Sequence, residues 1–381
     1  QQLKAGKNPT TERNLQKLVA ATTQSEQVRV HKEETVRALA LRWQVAELTK
    51  RGDKGRKDNG DEVIRSFERD VFPAIGSQPI NAIHKSVWVN LFDAVKERAP
   101  RMAARLFADL SQFLDWCERR EYIEASPLHR LRKSDIASPY KERDRFLWNP
   151  DGSKPETELL ELREKLPSAG LRRKTELAIW LMLATGCRVG EISKSAWSHV
   201  NFESREWVFP KDNTKNGTEH RVYLSDFSVR HIRELNQITG KTPWCFPADG
   251  ERRGGGDVSN ACDVHHVDEK TISKQVHDRQ RPTPLKNRSK ATNTLVLSGG
   301  NWTPHDVRRT AARIMAEMGA TTDTVEACIN HKMEKLKRTY QKTVPWESKR
   351  DAWEKLGDYL DSVLEKKNTT ATFPIYLGVN S

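Results

Sequence analysis

The stretch of sequence that decides the fold reads TPHDVRRTAARIMAEMG over residues 303–319 and INHKMEKLKRTYQK over residues 329–342. Its first part predicts an amphipathic helix. Thr303 can cap the amino end, Pro304 suits the first helical position and Gly319 ends the helix. The apolar residues recur at helical spacing and comprise Val307, Ala311, Ile314, Met315 and Met318.

The amino end of this helix carries a histidine and an arginine. His305 and Arg308 are three residues apart, so they share one face. The free N–H groups and the dipole at a helix amino end favour an anion. The pair therefore predicts a phosphate site, and the alternative is an ordinary surface pair.

A second arginine lies in the segment LATGCRVGEI, residues 183–192. Gly186 ends the preceding apolar helix KTELAIWLMLATG, residues 174–186, which we predict to be buried. Arg188 then follows on a short helix. Glu191 is three residues further on, so its carboxylate can pair with the guanidinium and orient it.

Two alternating segments between these regions predict a β-hairpin. They are REWVFP, residues 205–210, and HRVYLS, residues 220–225. Asn216–Gly217 is a good turn signal between them. The loop carries two lysines, Lys211 and Lys215, whose ammonium groups can reach outward or can serve only solubility.

Taken in chain order, these residues resemble the motif set of the tyrosine recombinase (phage-type integrase) family. The set comprises Arg188, a hairpin lysine, His305, Arg308, His331 and Tyr340. The family's hairpin lysine lies eight residues before the position of Tyr223, which selects Lys215 and leaves Lys211 as the alternative. The resemblance covers roughly residues 30–365, and residues 3–9, LKAGKNP, resemble the end of the arm-binding module of island and satellite-phage integrases.

The resemblance implies a multidomain, mainly α fold. We expect residues 1–30 to be a linker or the remnant of an N-terminal arm-binding region, and residues 31–138 to form a helical core-binding (SAM-like) DNA domain. Residues 139–147 are then an interdomain linker. Residues 148–381 form an α-rich catalytic domain with a small antiparallel β-sheet, a C-terminal helix and a tail.

The chemistry expected of this set is cleavage of a DNA phosphodiester. Guanidinium forks match the nonbridging phosphate oxygens, which suits Arg188 and Arg308. Tyr340 is the expected nucleophile. Because a phenol has a pKa near 10, it needs help in losing its proton, and His305 is the candidate base.

Two further side chains complete the expected reaction. Lys215 gives a proton to the departing 5′ oxygen, and His331 hydrogen-bonds the phosphate. By resemblance, the intermediate is a 3′-phosphotyrosyl bond with a free 5′-OH, which can be religated without ATP. The motifs contain no carboxylate cluster, so we predict no metal ion and no other cofactor.

Composition supports a polyanionic partner. The 381 residues include 65 Lys+Arg and 52 Asp+Glu, a formal charge of +13, although a basic protein without such a partner has the same balance. No run of 18 apolar residues predicts a transmembrane helix, and no hydrophobic signal segment opens the chain. The first residue is Gln1 rather than Met, so we expect the amino terminus to have been removed.

Cysteine usage predicts a reduced, cytoplasmic protein. The cysteines are odd in number and unpatterned, namely Cys117, Cys187, Cys245, Cys262 and Cys328. The residue types that bind zinc occur together in one region, as Cys262, His265, His266 and His277. The spacing lacks a second paired motif, so we do not predict zinc.

The sequence does not decide what two helix surfaces contact. Arginines outside the core stripe of the helix at residues 101–120 either contact DNA phosphates or face solvent; they are Arg101, Arg105, Arg119 and Arg120. The aromatics of this region are expected in the core, namely Trp43, Trp88, Phe107, Phe113 and Trp116. The apolar helix after residue 346 docks either on a neighbouring catalytic domain or on its own chain.

The function that these observations predict is site-specific DNA recombination. The chain would be an integrase of a prophage, genomic island or conjugative element, acting in the bacterial cytoplasm. Its partners would be double-stranded att-type DNA, three further copies of itself in a tetramer, and an excisionase or DNA-bending accessory protein, with no membrane. The alternatives are type IB topoisomerase-like or resolvase strand transfer, and a DNA-binding regulator that has lost the chemistry.

Overall fold

The structure is a computed structural model that describes residues 13–14, 17–18, 34–52, 54–136, 143–147, 156–248, 265–331 and 344–364. Tyr340, Cys262 and most of residues 1–30 lie outside these ranges. The chain divides into two units, residues 1–142 and 143–381. None of the described helices is long and apolar enough to cross a lipid bilayer.

The described part of the first unit is helical. Its helices are α1 (Val36–Trp43), which continues as a π-helical turn (Gln44–Leu48), α2 (Asp61–Asp70), α3 (Phe72–Ile75), α4 (Lys85–Arg98), α5 (Pro100–Arg119) and α6 (Lys133–Ile136), with a 3₁₀ turn (Ile80–Ala82). Thr35 caps α1 by accepting the N–H of Ala38 at 3.3 Å. A helical domain is what the periodicity of this region predicts.

Aromatic rings fill the centre of the first unit. Trp43 packs against Phe67 and Phe113 with ring centroids 6.2 and 5.6 Å apart. The prediction that the aromatics of this region are core residues is confirmed, because Trp43, Trp88, Phe107, Phe113 and Trp116 are all buried. The sequence left the role of four arginines undecided between DNA contact and a solvent-facing surface. Two of them make contacts within the unit: Arg105 binds Glu62 with two hydrogen bonds, and Arg120 stacks on Trp116.

The second unit combines helices with one small sheet. Its helices are α7 (Glu156–Lys165), α8 (Arg173–Thr185), α9 (Val189–Ser193), α10 (Asp226–Thr239), α11 (Glu269–Arg279), α12 (Pro304–Glu317), α13 (Thr322–Cys328) and α14 (Trp346–Leu364). Its strands are β1 (Val200–Asn201), β2 (Glu206–Phe209) and β3 (His220–Tyr223), and 3₁₀ turns lie at Trp197–His199 and Lys211–Asn213. The mainly α fold with a small antiparallel sheet is confirmed.

The sheet is antiparallel in the order β1-β2-β3, with Trp207 opposite Val222 and Phe209 opposite His220. The expected hairpin is therefore β2–β3, and β1 adds two residues at its edge. Gly217 lies in the connecting loop with φ +68°, a conformation that glycine adopts without strain. The alternation of the sequence predicts this pairing correctly.

Helix α8 lies at the centre of the second unit. All its residues from Thr175 to Thr185 are buried, which confirms the predicted burial of this apolar segment. Helices α10, α12 and α14 pack against it. The indole Nε1 of Trp353 on α14 donates to the carbonyl of Thr185 at 3.0 Å. The C-terminal helix therefore docks on its own chain.

The predicted apolar stripe of α12 is correct except at its end. Val307, Ala311, Ile314 and Met315 are buried. Met318 is 36% exposed, so its assignment to the buried stripe is wrong. The helix has ended at Glu317 and Met318 caps it, so the helical spacing no longer fixes the direction of this side chain.

The start of the second unit is bound to the amino half of α12. Arg143 lies 2.9 Å from the buried carboxylate of Asp306, and the backbone N–H of Leu147 donates to Thr310 Oγ1 at 2.7 Å. Arg145 binds the buried carboxylate of Glu158 at 2.7 Å. Buried carboxylates need such partners, so these contacts fix residues 143–147 against α12 and α7.

The close approach of α14 to the rest of the unit predicts the effect of one substitution. A Cβ at Gly357 would lie 2.4 Å from Cβ of Ser225, so Gly357→Ala forces the helix outward. We expect the free energy of unfolding to fall by about 1–3 kcal/mol, measured by chemical denaturation.

The matched control is Asp358→Ala at the neighbouring exposed position, which should change stability by less than about 0.5 kcal/mol. Alanine is the better helix former by about 1 kcal/mol. A Gly357→Ala protein as stable as the parent would therefore contradict the close packing of α14.

Candidate active site

The amino end of α12 begins at a reciprocal cap. Thr303 Oγ1 accepts the N–H of Asp306 at 3.4 Å, and the Asp306 carboxylate accepts the N–H of Thr303 at 2.8 Å. Asp306 is fully buried, so the first turn is held in one position. His305 and Arg308 project from that turn, as the sequence predicts.

Arg188 lies in the short connection between α8 and α9. Gly186 ends α8 with φ +68°, and Arg188 is the amino-terminal cap of α9. Its backbone N–H donates to one oxygen of Glu191 at 2.8 Å, and its Nη1 donates to the other at 2.9 Å. Glu191 is only 1% exposed, so the predicted bracing of Arg188 by this carboxylate is confirmed.

Arg308 is a buried cation at 2% exposure. Its Nη1 donates to the carbonyl of Gly186 at 2.7 Å, and its Nη2 donates to the carbonyl of Ile329. Burial lowers its pKa to about 10, and the neighbouring charge of Arg188 acts in the same direction. The guanidinium therefore stays protonated at neutral pH.

The two arginines meet at the carboxyl end of α13. Nη2 of Arg188 donates to the carbonyl of Asn330 at 2.9 Å, one residue beyond the Ile329 carbonyl that Arg308 binds. Asn330 has φ +49°, the left-handed conformation that commonly ends a helix. The last carbonyls of a helix carry partial negative charge, which offsets the repulsion between two guanidiniums.

The hairpin also reaches this turn. Asn216 Nδ2 donates to the carbonyl of Asn330 at 2.5 Å, and His220 Nε2 lies 2.9 Å from the carbonyl of Cys328. Three consecutive carbonyls, from Cys328 to Asn330, are therefore held by side chains of other elements. The segment that precedes His331 is fixed from both the arginine side and the hairpin side.

One cleft of about 650 Å³ brings Arg188, Lys215, His305 and Arg308 together, whereas His331 is not among the described residues that line it. It is lined by Met182, Arg188, Val189, Lys215, Lys270, Ser273, Lys274, His277, Trp302, Thr303, Pro304, His305 and Arg308. Lys215 lines this cleft, whereas Lys211 begins a 3₁₀ turn and is not among its described lining residues. The cleft favours Lys215 over Lys211 on position alone.

Two histidines beside the arginines have lowered pKa values. Partial burial lowers the pKa of His305, and the positive charges of Arg309 and Arg308 lower it further. Partial burial also lowers the pKa of His331, against the opposing effect of Glu326. Nδ1 of His331 donates to the Glu326 carboxylate at 2.6 Å, so Nε2 is the nitrogen left for a ligand.

The only group of described residues with the geometry of a metal site is buried below the arginines. It consists of Cys187, Glu191 and His220, whose ligand atoms lie within 4.8 Å of one another. Both Glu191 oxygens already accept hydrogen bonds from Arg188, and that guanidinium repels a cation. These contacts fit a hydrogen-bonded support for Arg188 better than a metal ligand set.

The residues weighed for zinc do not form a ligand group in the described part of the chain. His265, His266 and His277 are absent from the metal-site geometries found there. His277 instead lines the cleft on the face of α11 that carries Lys270 and Lys274. Cys262 lies outside the described residues.

Sequence reasoning missed three supporting residues. Asn216 and His220 bind the turn before His331 and Asn330 forms part of it, whereas the sequence predicts Asn216 only as a turn residue and His220 only as a strand residue. The alternation of β3 could have shown that His220 faces inward with Val222, because residues two apart in a strand share a face. Tyr340 lies outside the described residues, so its position stays a prediction.

Two family descriptions match the chain. "Phage integrase family" matches residues 155–345, which is half of the chain and includes the whole cluster just described. "Phage integrase central domain" matches residues 36–134 of the first unit. The two matches follow each other along the chain without overlap.

Similar proteins carry related names. Prophage integrase IntA of Escherichia coli K12 is 24% identical over 334 residues, which are 86% of this chain and 71% of that protein. The integrase of Enterobacteria phage P4 is 23% identical over 228 residues, 56% of this chain and 49% of that protein. This chain therefore matches about half the length of the phage P4 relative.

Solved structures share the fold. A lambda integrase dimer bound to a COC′ core site matches with a TM-score of 0.56 at 16% identity, covering 81% of this chain and 96% of that chain. A lambda integrase tetramer bound to a Holliday junction matches with a TM-score of 0.57 at 15% identity, covering 79% of this chain and 78% of that chain. With the family matches over both units, the chain belongs to the phage integrase family of site-specific tyrosine recombinases.

Proposed function

We propose that this recombinase cuts and rejoins DNA through a 3′-phosphotyrosyl bond formed by Tyr340, and that it integrates and excises a mobile element. The observation that carries the proposal is the convergence of Arg188 and Arg308 on adjacent carbonyls in one cationic cleft. A cleft with two fixed guanidiniums suits a phosphodiester, whose transition state gathers negative charge on its nonbridging oxygens.

The arginines have donors to spare for a phosphate. Each guanidinium carries five N–H donors, and the described contacts of each use two. Their backbone and carboxylate partners hold the planar groups in place before DNA binds. Preorganised donors stabilise developing charge without reorganisation at the moment of reaction, so Arg188 and Arg308 are our candidates for binding the nonbridging oxygens.

The neighbouring side chains supply proton transfer in this proposal. His305 is neutral at pH 7 because its pKa is lowered, so it can accept the phenolic proton. Lys215 protonates the departing 5′ oxygen. The Nδ1–H of His331 donates to Glu326, which leaves Nε2 to face a phosphate. A bound phosphate raises the pKa of the His331 ring, and the protonated ring can then donate from Nε2 to a phosphate oxygen.

The assembly is proposed by likeness to the lambda integrase complexes. We propose residues 31–138 as the core-binding domain, residues 148–381 as the catalytic domain, residues 139–147 as their linker and residues 1–30 as an arm-region remnant. The substrate is att-type double-stranded DNA, which the +13 charge favours. Four protomers would act together in the bacterial cytoplasm, with an excisionase or DNA-bending protein as the accessory factor.

The first test traps the covalent intermediate. A duplex with a nick beside the scissile phosphate loses its 5′-OH fragment after cleavage, so wild-type protein should accumulate on DNA as a denaturant-resistant adduct. Tyr340→Phe should form no adduct while its Kd for DNA stays within about twofold, since it loses one hydroxyl that serves the reaction. Gel electrophoresis under denaturing conditions measures the adduct.

Tyr359→Phe is the matched control, because the hydroxyl of Tyr359 is buried without a hydrogen-bond partner among the described residues. It should form the adduct at the wild-type rate. An adduct with Tyr340→Phe would rule out the proposed nucleophile. Relaxation of a single plasmid without joining of two att sites would favour the topoisomerase alternative, and DNA binding without any adduct would favour the regulator.

A second test addresses the buried guanidinium. Arg308→Lys keeps the charge but loses the fork that binds two carbonyls and a phosphate oxygen. We expect single-turnover cleavage to slow by about 100-fold or more, the usual loss when one donor to developing charge is removed. Arg313→Lys on the same helix, where the side chain pairs with Glu317, should cleave like the wild type.

A third test is the pH dependence of cleavage. The candidate base His305 must be neutral, and its pKa lies below the ordinary 6.5, so the cleavage rate should fall as the pH drops through that lowered pKa. His305→Gln should cleave slowly and lose this acid limb. An unchanged acid limb in His305→Gln would assign the titration to another group, and His331→Gln tests that group directly.

A further inference from the structure

His220 is a buried polar residue between the hairpin and the arginine cluster. It is the first residue of β3 and only 4% exposed, and its ring packs 5.9 Å from that of Phe209. The predicted catalytic set does not include it. A polar side chain in such a position needs a reason, since leaving it without hydrogen bonds is costly.

Its hydrogen bonds fix the tautomer of the ring. Nε2 lies 2.9 Å from the carbonyl of Cys328, and a carbonyl oxygen can only accept, so Nε2 carries the hydrogen. Burial lowers the pKa of His220 to about 4, so the ring is neutral at physiological pH. Nδ1 is therefore unprotonated; it has no hydrogen-bond partner among the described residues and lies 3.9 Å from Glu191.

The Cys328 carbonyl is the first of the three that hold the cluster. The next two bind Arg308 and Arg188, and the chain then reaches His331. A shift at Cys328 would therefore move the anchor of both guanidiniums. His220 ties this anchor to β3, five residues after Lys215, so it also links the turn to the hairpin that carries the candidate acid.

We propose that His220 is a positioning residue that, through its Nε2–H bond to Cys328, holds the turn at residues 328–331 in register with the hairpin, and so aims Arg188, Arg308 and His331 at the phosphate. The inference deepens the proposed function and rests on it. His220 touches no substrate, so its effect is on the rate of the chemical step rather than on DNA affinity.

Side-chain geometry offers a sharp test of this role. Glutamine places its amide nitrogen near the position of histidine Nε2, asparagine places it near Nδ1, and phenylalanine keeps the ring without donors. His220→Gln should therefore cleave the nicked duplex within about fivefold of the wild type. His220→Asn and His220→Phe should be slower by about 10- to 100-fold, because a misplacement of about 1 Å at the reacting groups can cost about 100-fold in rate.

Two measurements separate positioning from loss of structure. The Kd for DNA should stay within about twofold in all three variants. His231, a half-buried histidine of this unit, hydrogen-bonds the Phe227 carbonyl away from the cluster. His231→Asn should lower thermal stability without slowing cleavage by folded protein, and the Gln and Asn variants of His220 decide the matter if His220→Phe does not fold.

A readout without cleavage makes the outcome independent of the proposed function. Partial burial beside Arg308 lowers the pKa of His331, so loosening the turn should raise it toward 6.5 in His220→Asn and not in His220→Gln. Proton–carbon NMR of the His331 ring follows this titration, in which Glu326, Arg308 and Arg188 are the charged neighbours.

The outcomes are distinct. Wild-type protein that forms no adduct while His331 still titrates differently in His220→Asn would end the proposed function and keep the positioning role. Cleavage by the wild type with neither rate nor titration altered in His220→Asn would overturn the positioning role. Equal loss of rate and stability in the Gln, Asn and Phe variants would also overturn it, since that pattern marks plain structural damage.

Discussion

Two guanidiniums held side by side are the constraint on which the rest of this catalytic unit depends. Like charges at close range repel, and burial of Arg308 adds a desolvation cost that its lowered pKa reflects. The chain offsets both with one buried carboxylate and the carbonyl ends of two helices. Gly186, which ends α8, and the left-handed Asn330 after α13 each offer a backbone carbonyl to one of the arginines.

This arrangement links elements that are far apart in sequence. The helix pair α8 and α9 supplies Arg188, α12 supplies Arg308, and the hairpin supplies Lys215, yet all are tied to the same short turn before His331. Such a cluster cannot form until the unit has folded, because none of its hydrogen bonds to the turn is local. The site therefore forms only when the tertiary structure of this unit is complete.

Local patterns were predictable and long-range ones were not. Thr303 caps α12 within one turn, and Arg188 pairs with Glu191 three residues away, so the sequence predicts both contacts. The bond from Arg308 to Gly186 spans 122 positions, and nothing in either motif indicates it. Met318 was wrong for a related reason, because the period of a helix says nothing beyond the residue at which the helix ends.

The attachment of residues 143–147 to α12 has a mechanical consequence. The polypeptide enters the second unit at Arg143, and its first strong anchor is the carboxylate of Asp306, between His305 and the turn that bears Arg308. A pull on the preceding chain is therefore borne by the cap of that helix before it reaches any other element. Force applied at Arg143 therefore reaches the turn of α12 that carries His305 and Arg308.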